Sequence, residues 1–230
     1  AAALAGFVGR LRPAVAAAGR SDPTGDADDP ARGPRTSANE GQRPPAAPAR
    51  TLLVLGDSMS AEYGLARGSG WVALLEARLA ERIPGWKVVN ASISGETSSG
   101  GAARIAGLLE RHRPAAVIVE LGGNDALRGL DLNATRTNLE RIVAASKAAG
   151  ARVLLLGMQV PPNYGRAYTD AFAALFDEVS RSQQVPLVPF FLDGIAEDMS
   201  MFQPDRIHPN DAAQPRLLEN VWPALESLLG

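Results

Sequence analysis

The chain contains no cysteine. That excludes disulfides, a thiol nucleophile and thiolate metal sites, and it is compatible with any redox compartment. Histidine is almost as scarce. The 230 residues hold two, His112 and His208, and two widely separated imidazoles do not suggest a zinc site. No apolar run reaches the ~20 residues that cross a bilayer, so no transmembrane segment is expected. Neither sign of charge dominates: the formal net charge is −2, and no basic footprint for nucleic acid is present. Phosphate loops are missing too. Nothing after Gly56 resembles a Walker loop with its lysine, and there is no G-x-G-x-x-G.

One stretch lacks large apolar residues altogether. Ser21 to Arg50 has no Leu, Ile, Val or aromatic residue and is rich in Pro, Gly, Asp and Arg. Such a segment cannot bury enough surface to offset its chain entropy, so it is expected to be disordered. Before it lies an alanine-rich start, Ala1 to Arg20, with the apolar run Ala1–Gly9 followed by Arg10 and Arg12. The small-residue run Ala16-Ala17-Ala18 is similar to a signal cleavage site. The alternative is a leader without meaning, because there is no initiating Met and no basic leader. Residues 1–50 are therefore expected to be a leader or linker, and 51–230 the folded domain.

What is there is a well-filled core: 46% of the residues are apolar. From Thr51 onward strand-like and helix-like segments alternate, which predicts a parallel α/β sheet. The strand candidates are Thr51–Leu55, Lys87–Ala91, Ala115–Leu121, Arg152–Leu156 and Pro186–Pro189. Helical stripes fall between them: Trp71, Leu74, Leu75 and Leu79; Ile105, Leu108 and Leu109; Leu139, Ile142 and Val143. Two more follow: Tyr168, Phe172, Leu175, Phe176 and Val179, then Leu217, Leu218, Val221, Trp222 and Leu225. These read as core contacts. The expected architecture is a three-layer α/β/α sandwich on a five-stranded parallel sheet, flavodoxin-like in class. No internal repeat and no second domain are visible.

Open α/β sheets put their sites at the carboxyl ends of the strands. The first exit is Gly56-Asp57-Ser58-Met59-Ser60. By itself it reads first as an ordinary strand exit, and second as a loop presenting a serine nucleophile. The second, Ser94-Gly95-Glu96-Thr97-Ser98, reads as a helix start capped by Thr97 or Ser98. At Gly95 it also lets a backbone N–H approach a ligand with no side chain in the way. The third, Gly122-Gly123-Asn124-Asp125, is a turn, or a place for an amide that donates to developing charge on oxygen. The strand before it is mostly apolar, so it is expected beside the first strand. Near the C-terminus, Asp205-Arg206-Ile207-His208 sets an aspartate three residues before a histidine. A serine nucleophile needs a base, and the base an orienting carboxylate. His112 sits at a charged helix end, where a solvated surface role is the simpler reading. His208 is left as the credible base.

Taken together, Gly56-Asp57-Ser58, Gly95, Gly122-Gly123-Asn124-Asp125 and Asp205-x-x-His208 resemble the four sequence blocks of the SGNH (GDSL-type) hydrolases, in order. The match runs from Thr51 to near the C-terminus. Within the family the chain is similar to the bacterial periplasmic thioesterase I group of acyl-CoA thioesterases, lysophospholipases and arylesterases. Val89–Gly95, Val119–Asp125, Pro162–Arg166 and Val185–Phe191 carry that likeness. Two departures are visible. Arg206 stands where the group usually has glycine, and Glu96 replaces a more usual aspartate.

The resemblance implies Ser58 as nucleophile, His208 as general base and then acid, and Asp205 as its orienting carboxylate. It implies an oxyanion hole from the Ser58 and Gly95 backbone N–H groups and the Asn124 amide. Asp57 and Asp125 are expected to brace their loops. The expected substrate is a small acyl ester or thioester, with no metal and no organic cofactor. Asn163 and Tyr164 are candidates for the wall of the acyl site. A monomer in the periplasm or outside the cell is expected. A carbohydrate O-acetyl esterase of the same superfamily and a non-catalytic flavodoxin-like binding module are the alternatives.

Overall fold

Leu52, Leu53, Val54 and Leu55 are all fully buried. A strand covered by helices on both faces has no solvent side, so its apolar residues run without alternation. These four lie in β1 (Arg50–Gly56). In the computed structural model, which describes residues 49–230, β1 is flanked by β2 (Trp86–Asn90) and β3 (Ala116–Glu120). β4 (Arg152–Leu156) and β5 (Leu187–Val188) complete a five-stranded sheet in the order β2-β1-β3-β4-β5. All four pairings are parallel, and Leu53 stands opposite Val89 on one side and Val117 on the other.

The fifth strand is shorter than the predicted Pro186–Pro189. Only Leu187 and Val188 pair with β4. The prolines on either side lack the N–H that would extend the ladder. The predicted leader, residues 1–50, lies outside the described residues except for Ala49 and Arg50.

Among the described residues six α-helices complete the layers: α1 (Trp71–Arg82), α2 (Ser98–His112), α3 (Gly123–Leu127), α4 (Leu132–Ala148), α5 (Arg166–Gln183) and α6 (Gln214–Leu229). α1 packs with α6, while α2, α4 and α5 pack side by side. The predicted stripes are the buried faces: Trp71, Leu75 and Leu79 in α1, Phe172, Phe176 and Val179 in α5, Leu217, Val221 and Leu225 in α6. Among the described residues no helix is long and apolar enough to cross a membrane.

The chain leaves β1 for β2 on one side and returns to β3 on the other. That reversal opens a crevice at the carboxyl ends of β1 and β3. β1 ends two residues before Ser58, and β3 ends four residues before Asn124.

Candidate active site

Ser58 lies in the turn after β1 and is nearly buried. Its Oγ stands 2.8 Å from His208 Nε2, across 150 residues of sequence. His208 Nδ1 is 2.7 Å from Asp205 Oδ2. The other carboxylate oxygen, Oδ1, accepts from the Ile207 and His208 backbone N–H groups, each at 3.0 Å. Burial would raise the Asp205 pKa, but these N–H donors and the imidazole outweigh it and hold the carboxyl at about 2. A carboxylate only accepts, so Nδ1 carries the proton. In the neutral imidazole Nε2 is then left with a lone pair for the serine hydroxyl. The arrangement can pass a proton from Ser58 to His208 while Asp205 stabilises the imidazolium.

Three N–H donors sit at the exits of three neighbouring strands. Among the described residues the Ser58 backbone N–H and the Gly95 backbone N–H have no hydrogen-bond acceptor. Gly95 has φ +78°, a conformation that favours glycine. Its carbonyl is held by Arg128 Nη2 at 2.9 Å. Asn124 Nδ2 spends one hydrogen on Asp57 Oδ2 at 2.8 Å, and its second has no acceptor among the described residues.

Three carboxyls near these donors, Asp57, Glu120 and Asp125, are buried. Asp57 joins the Ser58 loop to Asn124, and its Oδ1 accepts from the Met59 N–H at 2.9 Å. Glu120, the last residue of β3, accepts from the Asp57 N–H at 3.2 Å and from Ser60 Oγ at 2.8 Å. Asp125 accepts from the Ser98 N–H at 2.8 Å and the Ser98 hydroxyl at 2.5 Å. The last pair settles the capping alternative. Thr97 caps α2 through the Gly100 N–H, and Ser98 turns to Asp125. Bracing by Asp57 and Asp125 follows the sequence reading. Glu120 was legible as the one charged residue in an otherwise apolar strand, but nothing in the sequence showed its partners.

The remaining predicted positions fall as follows. Asn163 and Tyr164 lie in a 3-10 turn after β4, both exposed. Tyr164 stacks on Tyr168 at 6.5 Å, and the Tyr168 hydroxyl donates to the Ala126 carbonyl at 3.3 Å. The turn is thereby tied to α3, which carries Asn124. Neither residue hydrogen-bonds Ser58, His208 or Asn124 among the described residues. His112 ends α2, as expected. Tyr63, against His208, was missed by sequence reasoning. Two clefts of about 350 and 500 Å³ lie beside β5, lined by Phe190, Asp193 and their neighbours. Neither is lined by Ser58, Asp205 or His208.

The sequence profile of the GDSL-like lipase/acylhydrolase family matches residues 54–215. The chain belongs to this family. The resemblance read from the four blocks is thereby borne out. Esterase TesA of Pseudomonas aeruginosa is 54% identical over 183 residues, covering 80% of this chain and 91% of that protein. Thioesterase 1/protease 1/lysophospholipase L1 of Escherichia coli is 44% identical over 184 residues, covering 80% and 87%. A crystal structure of the psychrotrophic esterase EstA from Pseudoalteromonas sp., inhibited by monoethylphosphonate, superposes with a TM-score of 0.75 at 39% identity. It covers 78% of this chain and 98% of that one. The three-layer sandwich is the fold of this GDSL family.

Proposed function

We propose that this GDSL-family enzyme hydrolyses acyl esters and acyl thioesters through an acyl-serine on Ser58. The observation that carries the reading is the hydrogen-bonded chain from Ser58 Oγ through His208 to Asp205. Ser58 Oγ attacks the acyl carbonyl as His208 Nε2 takes its proton. The tetrahedral intermediate collapses, and His208 returns the proton to the departing alcohol or thiol. Water then attacks the acyl-serine with His208 again as base, and the acid is released. Asp205 keeps the imidazole in the working tautomer and carries no proton itself.

The Ser58 N–H, the Gly95 N–H and the second Asn124 hydrogen form the oxyanion hole in this reading. Their lack of acceptors supports it, because a preorganised donor is worth most where no other group occupies it. An apolar acyl chain is supported by the exposed side chains. Ile93, Leu127, Leu130, Tyr164 and Ile207 are large, apolar and exposed; the first four follow the carboxyl ends of β2, β3 and β4, and Ile207 precedes His208. We assign the acyl wall to this rim, with Asn163 and Tyr164 on its β4 side. The names of the relatives in Pseudomonas and Escherichia support esters, thioesters and lysophospholipids as the classes to try. Residues 51–230 carry the whole activity, and Ala16-Ala17-Ala18 supports export to the periplasm or beyond.

The test is a chain-length series on p-nitrophenyl esters and acyl-CoA thioesters, run beside acetylated sugars. Medium acyl chains should outperform acetyl, since each methylene buried adds up to ~0.8 kcal/mol. Preference for acetylated sugars over every acyl ester would move the enzyme to carbohydrate deacetylation. No turnover of either would leave a binding module.

A further inference from the structure

Asp57 is buried beside the nucleophile, yet no step above uses it. Its two oxygens are both engaged, Oδ1 by the Met59 N–H at 2.9 Å and Oδ2 by Asn124 Nδ2 at 2.8 Å. The second contact bears on the oxyanion hole. A side-chain amide has two ends of similar shape and opposite polarity. A carboxylate accepts from the nitrogen end and repels the oxygen end. With one hydrogen fixed on Asp57, the planar nitrogen must aim its other hydrogen about 120° away.

We propose that Asp57 is a positioning residue that selects which end of the Asn124 amide faces the oxyanion, and that protonating Asp57 releases this selection. This rests on Asn124 being an oxyanion donor. A protonated Asp57 carries an O–H, which can donate to the amide oxygen. The flipped amide then places its oxygen where the nitrogen stood, toward both Asp57 and the hole, and its nitrogen is no longer held by Asp57. The hole loses the enforced polarity that makes it bind negative charge.

The surroundings place this switch in a useful range. Burial, foremost, pushes the Asp57 pKa up to about 6, and the Asp125 charge adds to it. The Met59 N–H, the Asn124 amide and the His208 charge pull the other way. Glu120 faces Asp57 from the end of β3. Burial first, then the Asp57 charge, pushes Glu120 well above the usual range. Burial raises both carboxyls and the Asp57 charge opposes ionisation of Glu120, so Asp57 can take up a proton on the acid side of neutrality.

The experiment is the pH dependence of kcat/KM on the acid side, for wild type and Asp57→Asn. A proton on the general base stops the wild type and one on Asp57 slows it further, so log kcat/KM should fall with a slope above one and approaching about two. Asp57→Asn keeps the shape but has only one acceptor oxygen for two donors. Its kcat should fall roughly tenfold to a hundredfold, less than the ~10²–10³ for deleting a donor, with KM nearly unchanged. Its acid slope should drop to about one. A wild-type slope of one, or an Asp57→Asn enzyme with wild-type kcat or an unchanged slope of two, overturns the proposal. If Asp57→Asn shows no melting transition, the wild-type slope decides alone. Asn124→Ala separates this from the hole itself. Should Asn124→Ala keep its kcat, the hole reading falls. Should it lose kcat while Asp57→Asn does not, only the positioning role falls.

Discussion

The Tyr63 ring lies against the His208 imidazole, with ring centroids 4.5 Å apart and planes tilted by 41°. Gln203 holds this pair together. Its Nε2 donates to the Tyr63 carbonyl at 2.7 Å and to the Pro209 carbonyl at 3.1 Å, tying the loop of Tyr63 to the residue after His208. The loop after β1 thus carries both Ser58 and the ring that lies against His208. Half of Tyr63 is exposed, so the ring is open to solvent on the side away from that contact.

Replacing that ring should cost activity modestly. An aromatic pair is worth ~0.5–1.5 kcal/mol, so Tyr63→Ala should lower kcat/KM by about 2- to 12-fold. Tyr63→Phe keeps the ring and should stay within about twofold of wild type. Steady-state kinetics on one ester decides it. Wild-type kcat/KM in Tyr63→Ala would show that the contact is incidental.

Asp205 links the site to acid stability. Its folded pKa is depressed to about 2 from an ordinary 3.8. A depressed carboxyl contributes stability that is present above the unfolded value and is lost as pH falls through the folded one. Asp205→Asn should therefore flatten the loss of stability between about pH 4 and pH 2, read by denaturant unfolding at each pH. At neutral pH the same variant should lose about 10⁴ in kcat, because the imidazole tautomer is no longer fixed. Stability falling equally steeply in both proteins would contradict the assigned partners.

Two glycines should respond with opposite signs. A Cβ on Gly157, just past β4, would stand 2.3 Å from the Pro189 carbonyl oxygen, which is backbone and cannot swing away. Gly157→Ala should cost ~1–3 kcal/mol or more. Gly107, inside α2, has nothing within 4 Å of its would-be Cβ. Gly107→Ala should add up to about 1 kcal/mol through helix propensity alone. Each kcal/mol moves Tm by ~2–4 °C in a domain of this size. A stabilised Gly157→Ala would mean the exits of β4 and β5 yield more easily than their spacing suggests.

The sheet was legible because each buried strand is a continuous apolar run closed by a breaker. Leu52–Leu55 before Gly56 and Val117–Val119 before Gly122-Gly123 are both of that kind. Several polar residues follow such breaks, and Ser58, Gly95 and Asn124 stood out only because they fall in the four family blocks. His208 stood out because the only other imidazole, His112, sits at a charged helix end. The contacts that hold these residues were not legible. Asp57 meets Asn124 across 67 residues, and Gln203 meets Tyr63 across 140. Pairings at that separation depend on how loops settle on a finished sheet, and no local pattern encodes them. Glu120 is the intermediate case, where a charge in a buried strand signals a partner without naming it. α3 is likewise absent from the periodicity, since five residues are too few to show a stripe.

The central claim is that Ser58 becomes covalently acylated with His208 as its base. Reaction with a fluorophosphonate, followed by mass spectrometry of the labelled peptide, tests it most directly. The label should fall on Ser58 alone. It should vanish in Ser58→Ala, which should keep its melting transition because this residue is a loop serine. His208→Ala should label far more slowly, and turnover in the Ser58→Ala/His208→Ala double variant should be scarcely worse than in either single one, since groups that act as a unit are not additive. Label persisting on the Ser58→Ala protein, or mapping to any other residue of the wild type, would contradict the account.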